Sequence, residues 1–244
     1  MYNLKKWKEK EGVFVMENDQ WVKETLKEKN IDLIGFADLS EIDTEKRYDY
    51  PHAICFAVAL KVFPSTDSEL AKEYYDEFNA VNQRLRETSN FLVEKIMERG
   101  FNAYSLFEER QNETFRTQLP LKTLATRSGL GWIGKPAILV TKEYGSAVRI
   151  SGVLTDMPLT SGTPINESLC GSCEECVKHC PGHAIKGNIW SVHMDRDNLV
   201  DPFRCIDTII ERGRVFNVME GECDICISVC PWTKRYKSRT GELK

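Results

Sequence analysis

The sequence predicts an α+β protein of two domains, an α/β domain over residues 1–158 and a cysteine-rich metal-binding domain over residues 159–244. Two observations support this prediction. The first domain contains one cysteine, Cys55, and alternates between helical and strand-like apolar patterns. Eight of the nine cysteines follow residue 169, and in a reducing compartment thiols clustered in this way bind metal more often than they form disulfides.

Composition and charge narrow the possible partners and location. The chain has 244 residues, of which 41% are hydrophobic, and its formal net charge is -4. This charge provides no general attraction to nucleic acid or to an anionic membrane. The sequence has no run of about 18 apolar residues, and its start, MYNLKKWKEKEGVF, lacks the apolar segment of a signal peptide. We therefore expect a cytoplasmic protein without membrane contact.

The first elements are predicted from apolar periodicity. Residues 19–29 have the spacing of an amphipathic helix, whereas residues 31–39 and 52–60 are short apolar runs typical of buried strands. Over residues 68–100 apolar side chains recur mostly every three or four positions, which predicts one long helix or two in series. Gly100 stands where a helix C-cap is expected.

Strand patterns complete the first domain. Residues 101–107 predict a strand, and residues 137–156 predict two strands joined as a hairpin near residues 143–146. The segment MPLTSGTPINES, residues 157–168, is rich in Pro, Ser, Thr and Gly. It is predicted to be the linker into the cysteine-rich domain.

The cysteine spacing predicts two iron–sulfur clusters. The first run has the pattern C-x2-C-x2-C-x3-C-P of bacterial ferredoxins, in which three thiolates bind one cluster and the fourth binds the other. A second run is one ligand short, and Cys205 lies 18 residues before its first cysteine. If the crossed pattern holds, one 4Fe-4S cluster is bound by Cys170, Cys173, Cys176 and Cys230. The other is then bound by Cys180, Cys205, Cys223 and Cys226.

Two alternatives accompany this interpretation. Eight thiolates could instead form two structural zinc sites of four ligands each. Zinc motifs seldom combine two successive two-residue gaps with a final Cys-Pro, so the spacing favours iron–sulfur clusters. Cys55 lies within an apolar strand pattern and is interpreted as a small buried hydrophobe rather than a ligand.

A glycine-rich segment in the first domain, SGLGWIGK, is a candidate cofactor site. Glycines allow close approach of the backbone to another group, Trp132 offers an apolar face, and Lys135 supplies a cation. The residues alone fit a glycine-rich turn that leads into the next strand at least as well. The candidate cofactor-binding residues are Gly129, Gly131, Trp132, Gly134 and Lys135.

Five segments together carry a resemblance to a known family. They are SGLGWIGK, EYGSAVRISGVLTDMPL, CGSCEECVKHCPGHAI, the pair Arg204-Cys205, and CDICISVCPW. In order and spacing they resemble the epoxyqueuosine reductases, and more distantly the corrinoid reductive dehalogenases. The resemblance implies a nitroreductase-like α/β domain that binds cobalamin base-off, followed by a two-cluster domain like that of bacterial ferredoxins. It also implies that the nearer cluster reduces the corrinoid and that the glycine-rich segment lies against it.

The sequence departs from that family in two ways. The resemblance implies an aspartate proton donor about fourteen residues before GLGW, where this chain has Phe115 or Arg116. The nearest carboxylates are Glu113, Glu109 and Glu108. The family also continues into helical repeats that help to hold tRNA, whereas this sequence stops at residue 244. We therefore expect little or no reduction of epoxyqueuosine in tRNA.

Three functions remain open from the sequence. The first is a cobalamin-dependent iron–sulfur oxidoreductase that acts on an unidentified substrate. The second is an electron-transfer or corrinoid- or flavin-reducing partner protein, with flavin mononucleotide (FMN) as the alternative cofactor. The third is an epoxyqueuosine reductase with a relocated acid. All three require a low-potential electron donor such as ferredoxin or flavodoxin.

Overall fold

The computed structural model describes residues 4–65, 68–107, 111–216 and 223–240. The helices are α1 Leu4–Lys27, α2 Ser68–Glu98, α3 Leu121–Arg127, α4 Glu175–Lys178, α5 Pro202–Phe216, α6 Ile225–Ser228 and α7 Pro231–Arg239. The strands are β1 Leu33–Asp38, β2 His52–Ala59, β3 Ala103–Ser105, β4 Trp132–Ile133, β5 Leu139–Val140 and β6 Val148–Thr155. In the described ranges no helix is both long and apolar enough to cross a membrane.

An antiparallel sheet of order β1-β2-β6-β3 forms the centre of the first domain. Seven of the eight residues of β2 are buried, which explains why its sequence is a continuous apolar run rather than an alternating one. Alternate β2 side chains face opposite layers. Ile54, Phe56 and Val58 pack in the core with α2, while Cys55 packs on the other face with α3.

The long helix α2 confirms the periodicity over residues 68–100. It is one helix of 31 residues, and Leu85, Leu92 and Ile96 on its inner face are fully buried. Gly100 follows with φ +85°, the left-handed conformation that ends helices and that glycine adopts without strain. The predicted helix over residues 19–29 is the C-terminal part of the longer α1.

Cys55 is a buried hydrophobe, as predicted. It is completely inaccessible and pairs with Gly152 of β6 and Gly35 of β1. Burial raises the pKa of its thiol to about 12, only partly offset by a hydrogen bond with Ser128. The thiol is therefore protonated at neutral pH, and its neighbours are apolar side chains of the sheet core.

The predicted hairpin over residues 137–156 is wrong. β5 pairs with β4, and β6 pairs with β2 and β3 in the large sheet. A tight turn, in which the Gly134 N–H donates to the Ile138 carbonyl at 2.8 Å, makes β4 the nearer partner of β5. The residues near 143–146 do form a turn, closed by an isolated bridge between Thr141 and Gly145. That turn carries the chain from the small sheet to the large one.

The segment over residues 157–168 is extended and lies against the first domain. Met157 is fully buried. The Gly162 N–H donates to the Phe36 carbonyl at 2.8 Å, and the Ile165 N–H donates to the Thr126 carbonyl at 2.9 Å. Packing is therefore continuous across residue 158. The domain boundary at this residue stays a prediction.

Candidate metal centre

The two cysteine runs have the same local structure. In each, the residue after the first cysteine is left-handed: Gly171 has φ +53° and Asp224 has φ 44°. Each run also contains a single turn of helix that carries one cysteine. In the first run this is the third cysteine, Cys176 on α4, and in the second run it is the second cysteine, Cys226 on α6. A Cys-Pro pair follows each helix.

The first group of thiols surrounds Cys176. Burial, together with the negative charges of Cys170, Cys230 and Cys173, raises the pKa of this thiol to about 11. All four sulfurs line one cavity of about 100 Å³. Cys230 comes from the second run, 50 residues beyond Cys180. The chain therefore brings together the first four cysteines that the crossed pattern predicts.

The second group surrounds Cys226. Burial raises the pKa of this thiol well above its ordinary value, as do the charges of Asp224, Cys223, Cys205 and Cys176. Burial also raises the pKa of Cys223, and Cys180 is among the charges acting on it. The two groups adjoin, because Cys226 also lines the cavity of the first group. The second four cysteines of the crossed pattern are thus also neighbours, with Cys180 contributed by the first run.

The spacing of these thiols bears on the zinc alternative. Tetrahedral zinc with Zn–S bonds of about 2.3 Å holds its sulfurs about 3.8 Å apart. In the described part of the chain, no three His, Cys, Asp or Glu side chains converge closely enough to hold a single metal ion. A four-iron cluster is wider than one ion, so its ligands stand farther apart. The donor set of eight thiols in two groups of four, with a cavity between the sulfurs of the first, fits 4Fe-4S clusters.

The glycines of the candidate cofactor segment pack against the protein itself. A Cβ on Gly131 would lie 2.2 Å from the Val140 carbonyl oxygen, and one on Gly129 would lie 2.7 Å from that of Thr163. Their side-chain positions are therefore occupied by neighbouring backbone rather than open to a ligand. A Cβ on Gly134 would lie 3.6 Å from the Cys170 sulfur, so this end of β4 touches the first group of thiols.

Trp132 does not offer an open face. Its side chain is fully buried and packs edge-on against Trp232 with ring centroids 5.1 Å apart. Its indole N–H is buried and has no hydrogen-bond partner among the described residues. The indole belongs to an apolar cluster that includes Cys170 and Cys230. Trp132 therefore packs in the apolar cluster beside these thiols.

Lys135 lies at the first group of thiols. It lines the same cavity as Cys170, Cys173, Cys176 and Cys230, and only 4% of its surface is exposed. Of the five predicted cofactor residues, Gly134 and Lys135 border this cavity and the other three do not. A cavity of about 100 Å³ is smaller than the pockets of roughly 300–1,000 Å³ that hold organic ligands. As placed, these five residues do not fit a corrinoid.

Carboxylates from the second domain reach the position of the expected acid. The Arg116 guanidinium donates to Asp195 at 2.7 Å and lies 3.0 Å from Asp197. The Arg196 guanidinium donates to the carbonyls of Phe115 and Thr114. No pattern in the sequence indicates these contacts, which join residues about 80 positions apart.

These carboxylates are poor proton donors. The hydrogen bond from Arg116 is the largest of the effects that lower the pKa of Asp195, and the hydrogen bond from Arg196 is the largest of those that lower the pKa of Asp197. Both groups are held ionised at neutral pH. Glu113 is exposed, and Glu108 and Glu109 lie outside the described residues. Among the described residues, no protonated carboxylic acid therefore lies at Arg116.

Comparison with known proteins gives three results for the sequence. Residues 169–233 match the family model described as a 4Fe-4S double cluster binding domain. The chain is 42% identical over 129 residues to an epoxyqueuosine reductase of Atelocyanobacterium thalassa, covering 49% of this chain and 39% of that protein. It is 34% identical over 170 residues to one of Synechococcus, covering 66% of this chain and 47% of that protein. The chain thus matches about two fifths to one half of these relatives' length.

Solved structures show a similar fold. The epoxyqueuosine reductase of Streptococcus thermophilus has a TM-score of 0.55 at 19% identity, covering 88% of this chain and 66% of that chain. A catabolic reductive dehalogenase has a TM-score of 0.58 at 16% identity, covering 87% of this chain and 32% of that chain. The predicted α+β fold with a ferredoxin-like cluster domain is confirmed, as is the resemblance to epoxyqueuosine reductases.

Proposed function

We propose that this protein is an iron–sulfur oxidoreductase that holds two 4Fe-4S clusters in the crossed arrangement. Cys170, Cys173, Cys176 and Cys230 bind the first cluster, and Cys180, Cys205, Cys223 and Cys226 bind the second. The observation that carries this proposal is the exchange of Cys180 and Cys230 between the two groups of neighbouring thiols. The first run supplies three of the four thiolates of the first cluster, and the second run supplies two of the four of the second cluster, with Cys205 as the third. Neither cluster therefore has four ligands without the other run.

We infer that electrons reach the first domain through the first cluster. Its cavity is bordered by Gly134 and Lys135 of the first domain. The two groups of thiols adjoin through Cys176 and Cys226, so electrons can pass between the clusters, and we infer that they pass from the second cluster to the first. A low-potential protein such as ferredoxin or flavodoxin delivers single electrons to the second cluster, and the first cluster delivers them to an acceptor at the first domain.

Reduction of epoxyqueuosine is the second candidate function. It is favoured by the 42% identity to a protein of that name over half of this chain. Removing an epoxide oxygen as water consumes two electrons and two protons, which two one-electron carriers can supply in turn. Since Asp195 and Asp197 are held ionised by arginines, the proton must come from another group. The absence of a carboxylate between Thr114 and Gly131 leads us to expect slow conversion.

Cobalamin is the first candidate for the electron acceptor, and FMN is the alternative. The likeness in fold to a reductive dehalogenase whose structure concerns B12-dependent dehalogenation supports cobalamin. The five residues assigned to it from the sequence do not form an open surface, so any corrinoid binds elsewhere on the first domain. Titration of the anaerobic protein with each cofactor, followed by its visible spectrum, separates the two.

Anaerobic purification tests the proposed function. We expect about eight iron and eight sulfide per chain, as two 4Fe-4S clusters require. Stoichiometric zinc with little iron would contradict the proposal. Incubation of the reduced protein with tRNA that contains epoxyqueuosine, followed by nucleoside analysis, tests the second candidate. Conversion at a rate equal to that of a full-length relative would overturn our expectation of slow turnover.

A further inference from the structure

Lys135 is a largely buried residue at the first group of thiols, and its ammonium has no anionic partner in the described structure. Its side chain is 4% exposed, and the described residues give it neither a hydrogen bond nor an ion pair. It lines the cavity formed by the first group of thiols. None of the described residues that line this cavity is Asp or Glu.

An ammonium beside an anionic cluster interacts with the charge of that cluster. The described residues that line the cavity include no carboxylate, so the anion available to Lys135 there is what the thiols bind. A 4Fe-4S cluster with four thiolates is net negative, and it gains one further negative charge when it accepts an electron. The ammonium therefore interacts more strongly with the reduced cluster than with the oxidised one.

We propose that Lys135 is the counter-ion of the cluster bound by Cys170, Cys173, Cys176 and Cys230, and that its charge raises the reduction potential of this cluster. The inference rests on the proposed function, because it requires the cluster to be present. Cluster potentials depend on local charge and burial. A higher potential at the first cluster favours the flow of electrons from the second cluster to the first. Lys135 thus acts on the reduction potential of the first cluster and does not contact the substrate.

Substitution of Lys135 with a neutral or a charged side chain tests this role. In Lys135→Met, we expect the equilibrium constant for reduction of the first cluster to fall about tenfold or more, which is about 59 mV for one electron. In Lys135→Arg, which keeps the charge, we expect a change of less than about threefold. The measurement is an anaerobic redox titration followed by electron paramagnetic resonance, with the second cluster as the internal reference.

Lys178→Met is the matched control. Lys178 lies between Cys176 and Cys180 in sequence, but its side chain is 63% exposed and lies 3.7 Å from Glu174. Solvent screens this charge, so we expect both potentials to stay within about twofold in the equilibrium constant. An equal shift in Lys178→Met and Lys135→Met would overturn the assignment, as would unchanged potentials in Lys135→Met.

The outcomes separate the inference from the proposed function. If the unmodified protein holds no iron–sulfur clusters, the proposed function fails. If it holds two and the Lys135→Met potentials are unchanged, only the inference fails. Where Lys135→Met does not assemble the first cluster, Lys135→Arg decides. Recovery of that cluster in the arginine variant supports the counter-ion role, and its continued loss overturns it.

Discussion

The hydrogen bond between Tyr74 and Asp224 joins the two domains at the second cluster site. Tyr74 lies on α2 and is 2% exposed. Its hydroxyl donates to a carboxyl oxygen of Asp224 at 2.6 Å, and Asp224 stands between Cys223 and Cys226 in sequence. Tyr74→Phe removes one oxygen atom and keeps the ring, which packs near Phe78 with centroids 6.1 Å apart. The substitution therefore isolates the hydrogen bond.

The expected cost follows from the burial of both groups. A hydrogen bond to a carboxyl group contributes about 1.5–3 kcal/mol, and a buried acceptor that loses its donor also bears a desolvation penalty. Burial already raises the pKa of Asp224, and the Tyr74 hydrogen bond lowers it in part. If the bond is broken in the transition state for unfolding, 1.5–3 kcal/mol corresponds to an unfolding rate about 10 to 150 times faster at 25 °C.

The assay is the rate of unfolding in urea under anaerobic conditions, because loss of the clusters makes unfolding irreversible and the rate is then the defined quantity. Tyr75→Phe is the matched control. Tyr75 is partly exposed, and its hydroxyl has no partner in the described structure, so we expect its unfolding rate to change less than about twofold. Equal rates for Tyr74→Phe and the unmodified protein would refute the stabilising role of this bond.

Two further predictions concern the first domain. Gly131→Ala places a Cβ about 2.2 Å from the Val140 carbonyl, so we expect a loss of about 1–3 kcal/mol from overpacking; an unchanged melting temperature would show that the β5 backbone yields. Burial lowers the pKa of His52 from its ordinary value of 6.5, partly opposed by Asp38. Its stabilising contribution is therefore present above pH 6.5 and lost as the pH falls through the lowered value. Thermal unfolding between pH 7.5 and 5 should show a smaller loss of stability in His52→Gln than in the unmodified protein, and parallel curves would exclude His52 as the cause.

Elements with strong periodicity were predictable from the sequence. The apolar spacing over residues 68–100 and the continuous apolar run over residues 52–60 each specify one buried surface, and the structure has α2 and β2 there. The hairpin over residues 137–156 was not predictable in the same way. β5 has two residues, so the tight turn after β4, rather than strand pattern, selects its partner.

The candidate site also has features that were predictable from the sequence and features that were not. Cysteine spacing predicted which thiols lie together because most ligands of each cluster are close in sequence. The exceptions are Cys180, Cys205 and Cys230. The glycine segment is a candidate cofactor site in the sequence that fits a glycine-rich turn equally well, and in the structure Gly131 approaches the Val140 backbone. A glycine pattern indicates close approach without indicating the partner. The contact of Arg116 with Asp195 spans 79 residues and left no pattern in the sequence.

Crossed ligation is the central claim, and alanine variants of three cysteines test it most directly. The remaining iron–sulfur signal of Cys230→Ala is compared by electron paramagnetic resonance with those of Cys173→Ala and Cys223→Ala, with the buried Cys55→Ala as the control that keeps both clusters. We predict that Cys230→Ala loses the same cluster as Cys173→Ala and retains the one that Cys223→Ala loses. A Cys230→Ala spectrum that matches that of Cys223→Ala would contradict the crossed arrangement.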